Sequence, residues 1–325
     1  ANPFVLSITV QAQSGATKTY SVKISSPTVD DKIKMIPIIT ESLTVTGTES
    51  EGVFITGRTV TIPAYKMSET EITYILFKQV ADWAKKNGFS LSIQGIRKGN
   101  FDEEEDEPAC NVKWSLAVVW CNAYSKMMKK DPCYTKKDGG EIKSVDDVDN
   151  NIVMNMDKNG YRLPLEVEWE LAARGGNPNA PEWKFKWAGV TGDPTKPSDL
   201  AKIEEYLWWK GNSKVYGNPS THPPKGKKPT NAGKADSFPK IYDLSGNIAE
   251  WVWDREGKIT KDTPLTGNEE KTKRILRGGF CFNLIGGSTG TGETELARCT
   301  VFARNVSFGI NKSSWEQGFR IVCKN

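Results

Sequence analysis

The chain has 325 residues, of which 37% are hydrophobic and 10% aromatic, enough for a sizeable core and against global disorder. Its 44 basic and 40 acidic residues are interspersed and leave a net charge of +4, so the sequence carries no electrostatic footprint for nucleic acid. No stretch approaches the roughly 20 apolar residues of a membrane-spanning helix, and the six cysteines (Cys110, Cys121, Cys133, Cys281, Cys299 and Cys323) include no zinc-type CxxC spacing.

Residues 1–33 read as an N-terminal β segment and linker. Two alternating runs, Phe4-Leu6-Ile8-Val10 and Tyr20-Val22-Ile24, flank a Ser-Gly turn and predict a short β-hairpin. A lone hairpin needs a further surface to pack on, and "SSPTVDDK" follows it as a linker. From 34 to 325 short strands and helices mix. "ESLTVTG", "GVFITG" and "TVTIPAYKMS" are strand-like. Residues 68–88 predict a helix with Ser68 as N-cap, Glu71 three places on and Gly88 as the stop. "DEEEDE" at 102–107 reads as a solvated loop. A second helix is expected over "SLAVVWCNAYSKMMKKDP", ending before Pro132. A third covers "PLEVEWELAARGG", with Glu168 and Arg174 making surface pairs. Residues 175–240 hold no long periodic segment and need anchors, for which Trp183, Trp187, Trp208 and Trp209 are candidates. In "GNIAEWVWD", Gly246 permits a tight turn, Trp251 and Trp253 share one strand face, and Asn247 and Glu250 cap the turn. Few helices among many short strands give an α+β fold class.

Four stretches in this order, "GYRLPLEVEWELAARGG" (160–176), "YDLSGNIAEWVWD" (242–254), "RILRGG" (274–279) and "GFRIV" (318–322), resemble one family. It is the formylglycine-generating-enzyme-like (sulfatase-modifying factor) branch of the C-type lectin fold, and the resemblance covers about residues 36–325. It implies a C-type lectin fold of the formylglycine-generating-enzyme type, preceded by the N-terminal β-hairpin. It also offers a second reading of the 246–250 turn, in which Asn247 and Glu250 ligate a structural calcium ion as hard oxygen donors. The capped turn is the alternative, and no cofactor is required.

The oxidase members of that family carry a C-x4-C pair beside the RGG motif, as copper ligands and thiol partners of the substrate. The family pattern places those cysteines at positions held here by Asn283 and Leu296. Cys281 and Cys299 flank the region 18 positions apart, without the family's spacing, and read as buried hydrophobes or a disulfide. The one histidine, His222, sits in a Pro/Lys-rich loop and reads as a surface or packing residue. Acid–base and nucleophilic catalysis therefore have few candidates, and the expectation is no enzyme.

The C-terminal part, 277–325, keeps the family's frame at Arg277, Gly278, Gly279, Arg298, Arg304, Gly318, Phe319 and Arg320, and departs from it between those positions. That combination is similar to the variable proteins of diversity-generating retroelements, in which adenine-directed mutagenesis rewrites the C-terminal end of a lectin-like domain. The resemblance implies a candidate variable region at 277–325. Its ligand-binding residues would be Phe280, Phe282, Asn283, Leu284, Ile285, Phe302, Asn305, Val306, Ser307, Ile310 and Asn311, all products that mutagenesis of an AAY codon allows. Lys312, Trp315, Glu316 and Gln317 are not such products and belong to the frame. Apolar and aromatic side chains gathered on a wet surface mark an interaction site. The alternation of Phe280 and Phe282 leaves a core strand as the other reading for both. The expected function is non-catalytic binding of a macromolecular ligand, a protein on another cell or host. The resemblance implies export to the cell surface as an outer-membrane lipoprotein whose lipid anchor lies outside residues 1–325. A formylglycine-generating-type copper oxidase and a fixed lectin-like envelope protein are the alternatives.

Overall fold

The computed structural model describes residues 4–11, 17–24, 33–98, 106–215, 218–268, 271–281, 292–306 and 309–325. The chain divides into two compact units, Ala1–Lys34 and Met35–Asn325. The first is the hairpin expected from its alternation: β1 (Phe4–Gln11) pairs antiparallel with β2 (Thr17–Ile24) in the register Phe4↔Ile24 to Gln11↔Thr17.

The second unit opens with β3 (Met35–Ile39), the hairpin of β4 (Leu43–Thr46) and β5 (Thr59–Ile62), and β6 (Tyr65–Ser68). Helix α1 (Tyr74–Lys86) follows, then β7 (Arg97–Lys98), β8 (Ala109–Cys110), α2 (Trp114–Met127), β9 (Tyr134–Thr135) and β10 (Val153–Met154). Next come α3 (Glu166–Ala173), α4 (Pro197–Glu204), β11 (Lys214–Val215), β12 (Asn218–Pro219), β13 (Ala249–Arg255) and β14 (Arg274–Arg277). The chain closes with α5 (Gly292–Ala297), β15 (Asn305–Val306), β16 (Gln317–Gly318) and β17 (Val322–Lys324). Two sheets organise the unit. One has the order β17-β6-β3, so the last strand pairs with one of the first. The other has the order β15-β14-β13-β16, with β13 and β16 parallel. The fold is α+β, as its sequence pattern predicts.

The helices form for different reasons. In α1 the buried residues Leu76, Phe77, Val80, Ala81 and Ala84 fall on one face. Its N-cap is Thr73 rather than Ser68, which instead closes β6. A second donor of the first turn, the Ile75 N–H, is met by Asp106 Oδ1 at 3.0 Å. Helix α2 is buried from Trp114 to Ser125, so it runs through the core rather than along it. The eight-residue α4 escapes a periodicity search because it buries only Ile203. Between α3 and β13 the irregular chain is held by tryptophans, as expected. Trp183 is buried with its ring centroid 5.0 Å from that of Phe54, and buried Trp187 donates its indole N–H to Leu296 O at 3.1 Å. Trp251 is buried on β13 and Trp253 half-buried, their rings engaged with Val112 O and with Trp114 and Tyr134.

Helix α3 corrects the sequence reading most. All eight of its residues are buried, including Glu166, Glu168 and Glu170. Glu168 does not make a surface pair. It is held by both terminal nitrogens of Arg162 at 2.6 and 2.7 Å and accepts the Leu165 N–H at 2.8 Å, capping its own helix. Arg174, also buried, pairs with Glu170. Arg277, fully buried on β14, spans Glu166 at 2.9 Å and Glu170 at 2.7 Å. Arg304 adds a bidentate contact to Glu166. The acidic run at 102–107 also ends differently from its reading: Glu107 is buried and accepts the Thr221 hydroxyl at 2.5 Å.

Removing one partner of a buried pair strands the other's charge, at about 3–5 kcal/mol. Arg277→Met is therefore expected to destabilise the protein by about that amount in urea denaturation, and Arg277→Lys, which keeps the charge but not the fork, by less. A loss under about 1 kcal/mol for the Met variant would mean that the Arg277 pairs contribute little beyond the other arginines that hold α3.

Candidate functional site

The candidate surface is built on β13, β14 and the loops around them. Two glycines let the chain fold tightly here. At Gly246 (φ +81°) a side-chain Cβ would lie 2.0 Å from Trp208 O, and at Gly279 (φ +72°) 2.7 Å from Arg298 O. The Gly246 N–H donates to Gly278 O at 2.7 Å, so the two motif turns are joined directly. Arginines fix the rest of the frame. Arg277 and Arg304 bind α3 and also the carbonyls of Val301 and Gly257, while Arg320 grips Glu250 at 2.6 Å through two nitrogens and donates to Ser68 O and Tyr242 O. The frame arginines thus tie carboxylates as well as the carbonyls that their sequence context suggests.

The expected binding residues do not form one set. Phe280 is 7% exposed and belongs to the core, which selects the alternative that its alternation left open; it is not a surface contact. Phe282, Asn283, Leu284, Ile285 and Ser307 lie outside the described residues. Phe302 is half-buried with its side chain against the main core, a partial correction of its reading as a surface anchor. Asn305 and Val306 form β15, the edge strand beside β14, where Asn305 is half-buried and its Nδ2 has no hydrogen-bond partner among the described residues. Ile310 and Asn311 sit at the start of α2. The Ser115 N–H donates to Ile310 O at 3.1 Å, and the Ser115 hydroxyl to Asn311 Oδ1 at 2.7 Å. Ile310 is half-buried and Asn311 exposed. Ser115 is a contact that sequence reasoning missed, because no local signal links positions 196 residues apart.

The turn at 246–250 does not fit a calcium ion held by the side chains of Asn247 and Glu250. Both Glu250 oxygens face Arg320, and Oε2 also accepts the Trp169 indole N–H at 2.7 Å. A guanidinium at that distance opposes a divalent cation. Asn247 is buried at φ +57°, accepts the His222 N–H through Oδ1 at 2.9 Å, and donates through Nδ2 to Glu71 and His222 O. The capped turn is therefore the reading these donors support. His222 is a packing residue, its ring stacked on Trp208 with centroids 3.7 Å apart.

The thiols are equally occupied by structure. All six cysteines are buried and unbridged. Burial pushes the Cys281 thiol well above its ordinary range and Cys299 up to about 12, which disfavours the thiolate that metal binding or nucleophilic attack requires. Leu296, where the family pattern expects a cysteine, is a buried member of a second core cluster around Trp187 and Ile203.

With this geometry in place, comparisons with known proteins can be set beside it. The family model described as the sulfatase-modifying factor enzyme 1-like domain matches residues 27–325. A protein of Paenibacillus barcinonensis named chaperone protein LppX is 31% identical over 198 residues, which cover 58% of this chain and 64% of the relative. The formylglycine-generating enzyme of Thermomonospora curvata is 29% identical over 163 residues, covering 45% and 50%. The chain thus spans less than two thirds of the length of these curated relatives. Among solved structures, Treponema denticola variable protein 1 superposes with a TM-score of 0.66 at 25% identity, over 98% of this chain and 99% of that one. CarF shares the fold, with a TM-score of 0.63 at 24% identity over 90% and 98%. The formylglycine-generating-enzyme-like fold and the likeness to a variable protein, both read from the sequence, are borne out.

The ionic frame gives the protein a pH signature. Burial, reinforced by the charge of Glu166, raises the Asp254 carboxyl to about 7, and burial raises Asp243 to about 6. A carboxyl that is less acidic folded than unfolded binds its proton preferentially in the folded state. Its contribution is complete below the ordinary value of 3.8 and is lost as pH rises through the folded value. Glu166 works in the opposite sense: burial pushes it up, but Arg304 and Arg277 outweigh that and hold it below its ordinary value. Urea unfolding is expected to show stability declining from about pH 4 to about pH 7, and Asp254→Asn, which keeps the acceptor for the Glu166 N–H, should flatten that decline. An unchanged slope in the variant would remove Asp254 as its source.

Proposed function

The chain belongs to the sulfatase-modifying factor enzyme 1-like domain family, and from that premise we propose that it is a non-catalytic ligand-binding protein displayed at the cell surface. Its C-terminal region, 277–325, is the recognition surface, diversified between fixed frame positions. The ligand is a macromolecule, a protein on another cell or host. The observation that carries this reading is the division of labour within 277–325. Arg277, Arg304 and Arg320 are committed to buried carboxylates, while Asn305, Ile310 and Asn311 between them are half-buried or exposed at a sheet edge and a helix start. A frame closed by such buried pairs tolerates change in what it presents. The full-length likeness to a variable protein supports the same division.

The family includes formylglycine-generating enzymes. The buried, proton-retaining thiols Cys281 and Cys299 and the core position of Leu296 support a non-catalytic reading here. Oxygen-dependent turnover of a cysteine-containing peptide with added copper is expected to be absent, and turnover that disappears in Cys281→Ala would restore the oxidase.

Combined substitution at Asn305, Ile310 and Asn311 is expected to leave the Tm within a few degrees, since tolerant surface positions cost roughly 0.5 kcal/mol or less each. Phe280→Ala, in the core, should cost about 3 kcal/mol. Sequencing sibling strains decides on diversification: changes confined to codons between the frame positions are expected, together with a nearby template copy carrying Asn codons there. Invariance across 280–311 would instead indicate a fixed lectin-like envelope protein.

A further inference from the structure

Strand β10 has a neighbour on one side. It pairs with β9 in a two-stranded sheet, and its other edge meets no strand among the described residues. The ladder fixes which backbone groups that edge carries. Val153 stands opposite Thr135 and Met154 opposite Tyr134, and the Asn155 N–H donates to Cys133 O at 2.8 Å. In an antiparallel pair, residues that exchange bonds alternate with residues whose N–H and C=O point the other way. Val153 and Asn155 therefore face β9, and Met154 turns its N–H and C=O outward. An edge of this kind is a template for a further strand.

A cavity of about 410 Å³ lies along that edge, within the range of ligand sites. Residues 150–154 line it without a gap, whereas neither residue of β9 does. Side chains of successive residues in extended chain point to opposite faces. An unbroken run along one wall thus means that the wall is the edge of β10 rather than one of its faces. Half-buried Trp253 and Met154, with exposed Val153, give the cavity an apolar side. Asn150, Asn151 and Asn268 bring side-chain amides, and two of their buried atoms, Asn150 Oδ1 and Asn268 Nδ2, have no hydrogen-bond partner among the described residues. A peptide group carries one donor and one acceptor, the two kinds of partner that these atoms lack. Arg255 in the wall is already bonded to Asn150 O, and none of the described lining residues is acidic. Recognition here is of main chain and apolar side chain rather than of charge. We propose that this cavity is a peptide-binding site, distinct from the 277–325 surface, in which an extended, uncharged segment of a partner protein adds as a third strand beside β10. Its main chain would bond the N–H and C=O of Met154, with an apolar side chain directed toward Trp253.

The test is calorimetric titration of the full chain with blocked tetrapeptides Ac-Thr-X-Thr-X-NH2, in which X is Val, Leu or Phe, each beside a counterpart whose backbone amides are N-methylated. Saturable one-site binding of at least one peptide is expected. Its N-methylated counterpart, with the same side chains but no main-chain donors, should bind about tenfold or more weakly, a loss of about 1.4 kcal/mol. Two variants locate the contact. Met154→Ala and Met154→Pro both lose the thioether, but only the second loses the N–H, and proline is tolerated on an edge strand whose N–H faces outward. Binding should persist in Met154→Ala and be weaker again by about tenfold or more in Met154→Pro, with the two Tm values within a few degrees. The N-methylated arm uses the parent protein, so it decides even where a substitution disturbs folding. Absence of binding for every peptide, N-methylated peptides binding as tightly as their parents, or Met154→Pro binding as tightly as Met154→Ala would each overturn the proposal. None of these outcomes bears on the 277–325 reading, since Met154 lies outside that region.

Discussion

Three glutamates on one buried helix govern this fold. A carboxylate taken out of water is tolerable only when a cation and hydrogen bonds replace the lost hydration, and α3 makes that demand at Glu166, Glu168 and Glu170 at once. The arginines that answer come from 162, 174, 277 and 304, so chain segments more than a hundred residues apart are compelled to meet at one place. A partly satisfied network of this kind would leave a buried charge unmet, which is costly. The result is a scaffold whose C-terminal strands, besides their sheet pairing, are fastened to buried carboxylates at Arg277, Arg304 and Arg320.

That mode of attachment separates what is fixed from what is presented. Arg277 and Arg304 bracket the stretch between β14 and β15, and Arg320 seals the end of the chain to Glu250. Between these fastenings the side chains divide by depth. Phe280, Cys281, Leu296, Cys299 and Val301 are core, whereas Asn305, Ile310 and Asn311 reach the surface or its margin. The same burial raises the Cys281 and Cys299 thiols and so disfavours their thiolate forms.

Arg274 is the exception that sets off the rule. Elsewhere the fold spends a carboxylate or a ring of carbonyls on each buried guanidinium; here it spends two indole faces and leaves two nitrogens idle beside a second arginine. Cation–π contact recovers part of the desolvation cost, but it does nothing for the repulsion across the strand pair.

The sequence by itself determined the α+β class, the N-terminal hairpin, the apolar face of α1, the extents of α2 and α3 to within a few residues, the tryptophan anchors of the irregular stretch, and the family through its four motifs. Periodicity and turn chemistry are local properties, so they are legible in a string of residues. Tertiary structure alone decided that Glu168 and Arg174 are buried rather than solvated, since charge reads as surface until its partner is known. It decided that Phe280 is core while its neighbours in the frame face carboxylates, because alternation fixes that residues share a face but not which face is wet. The engagement of Glu250 by Arg320, which closes the turn at 246–250 to a cation, and the juxtaposition of Arg255 with Arg274 likewise arise only when β13 meets distant strands. Which of these charges is buried, and which distant arginine meets Glu166 or Glu250, is set by what the folded chain is able to neutralise.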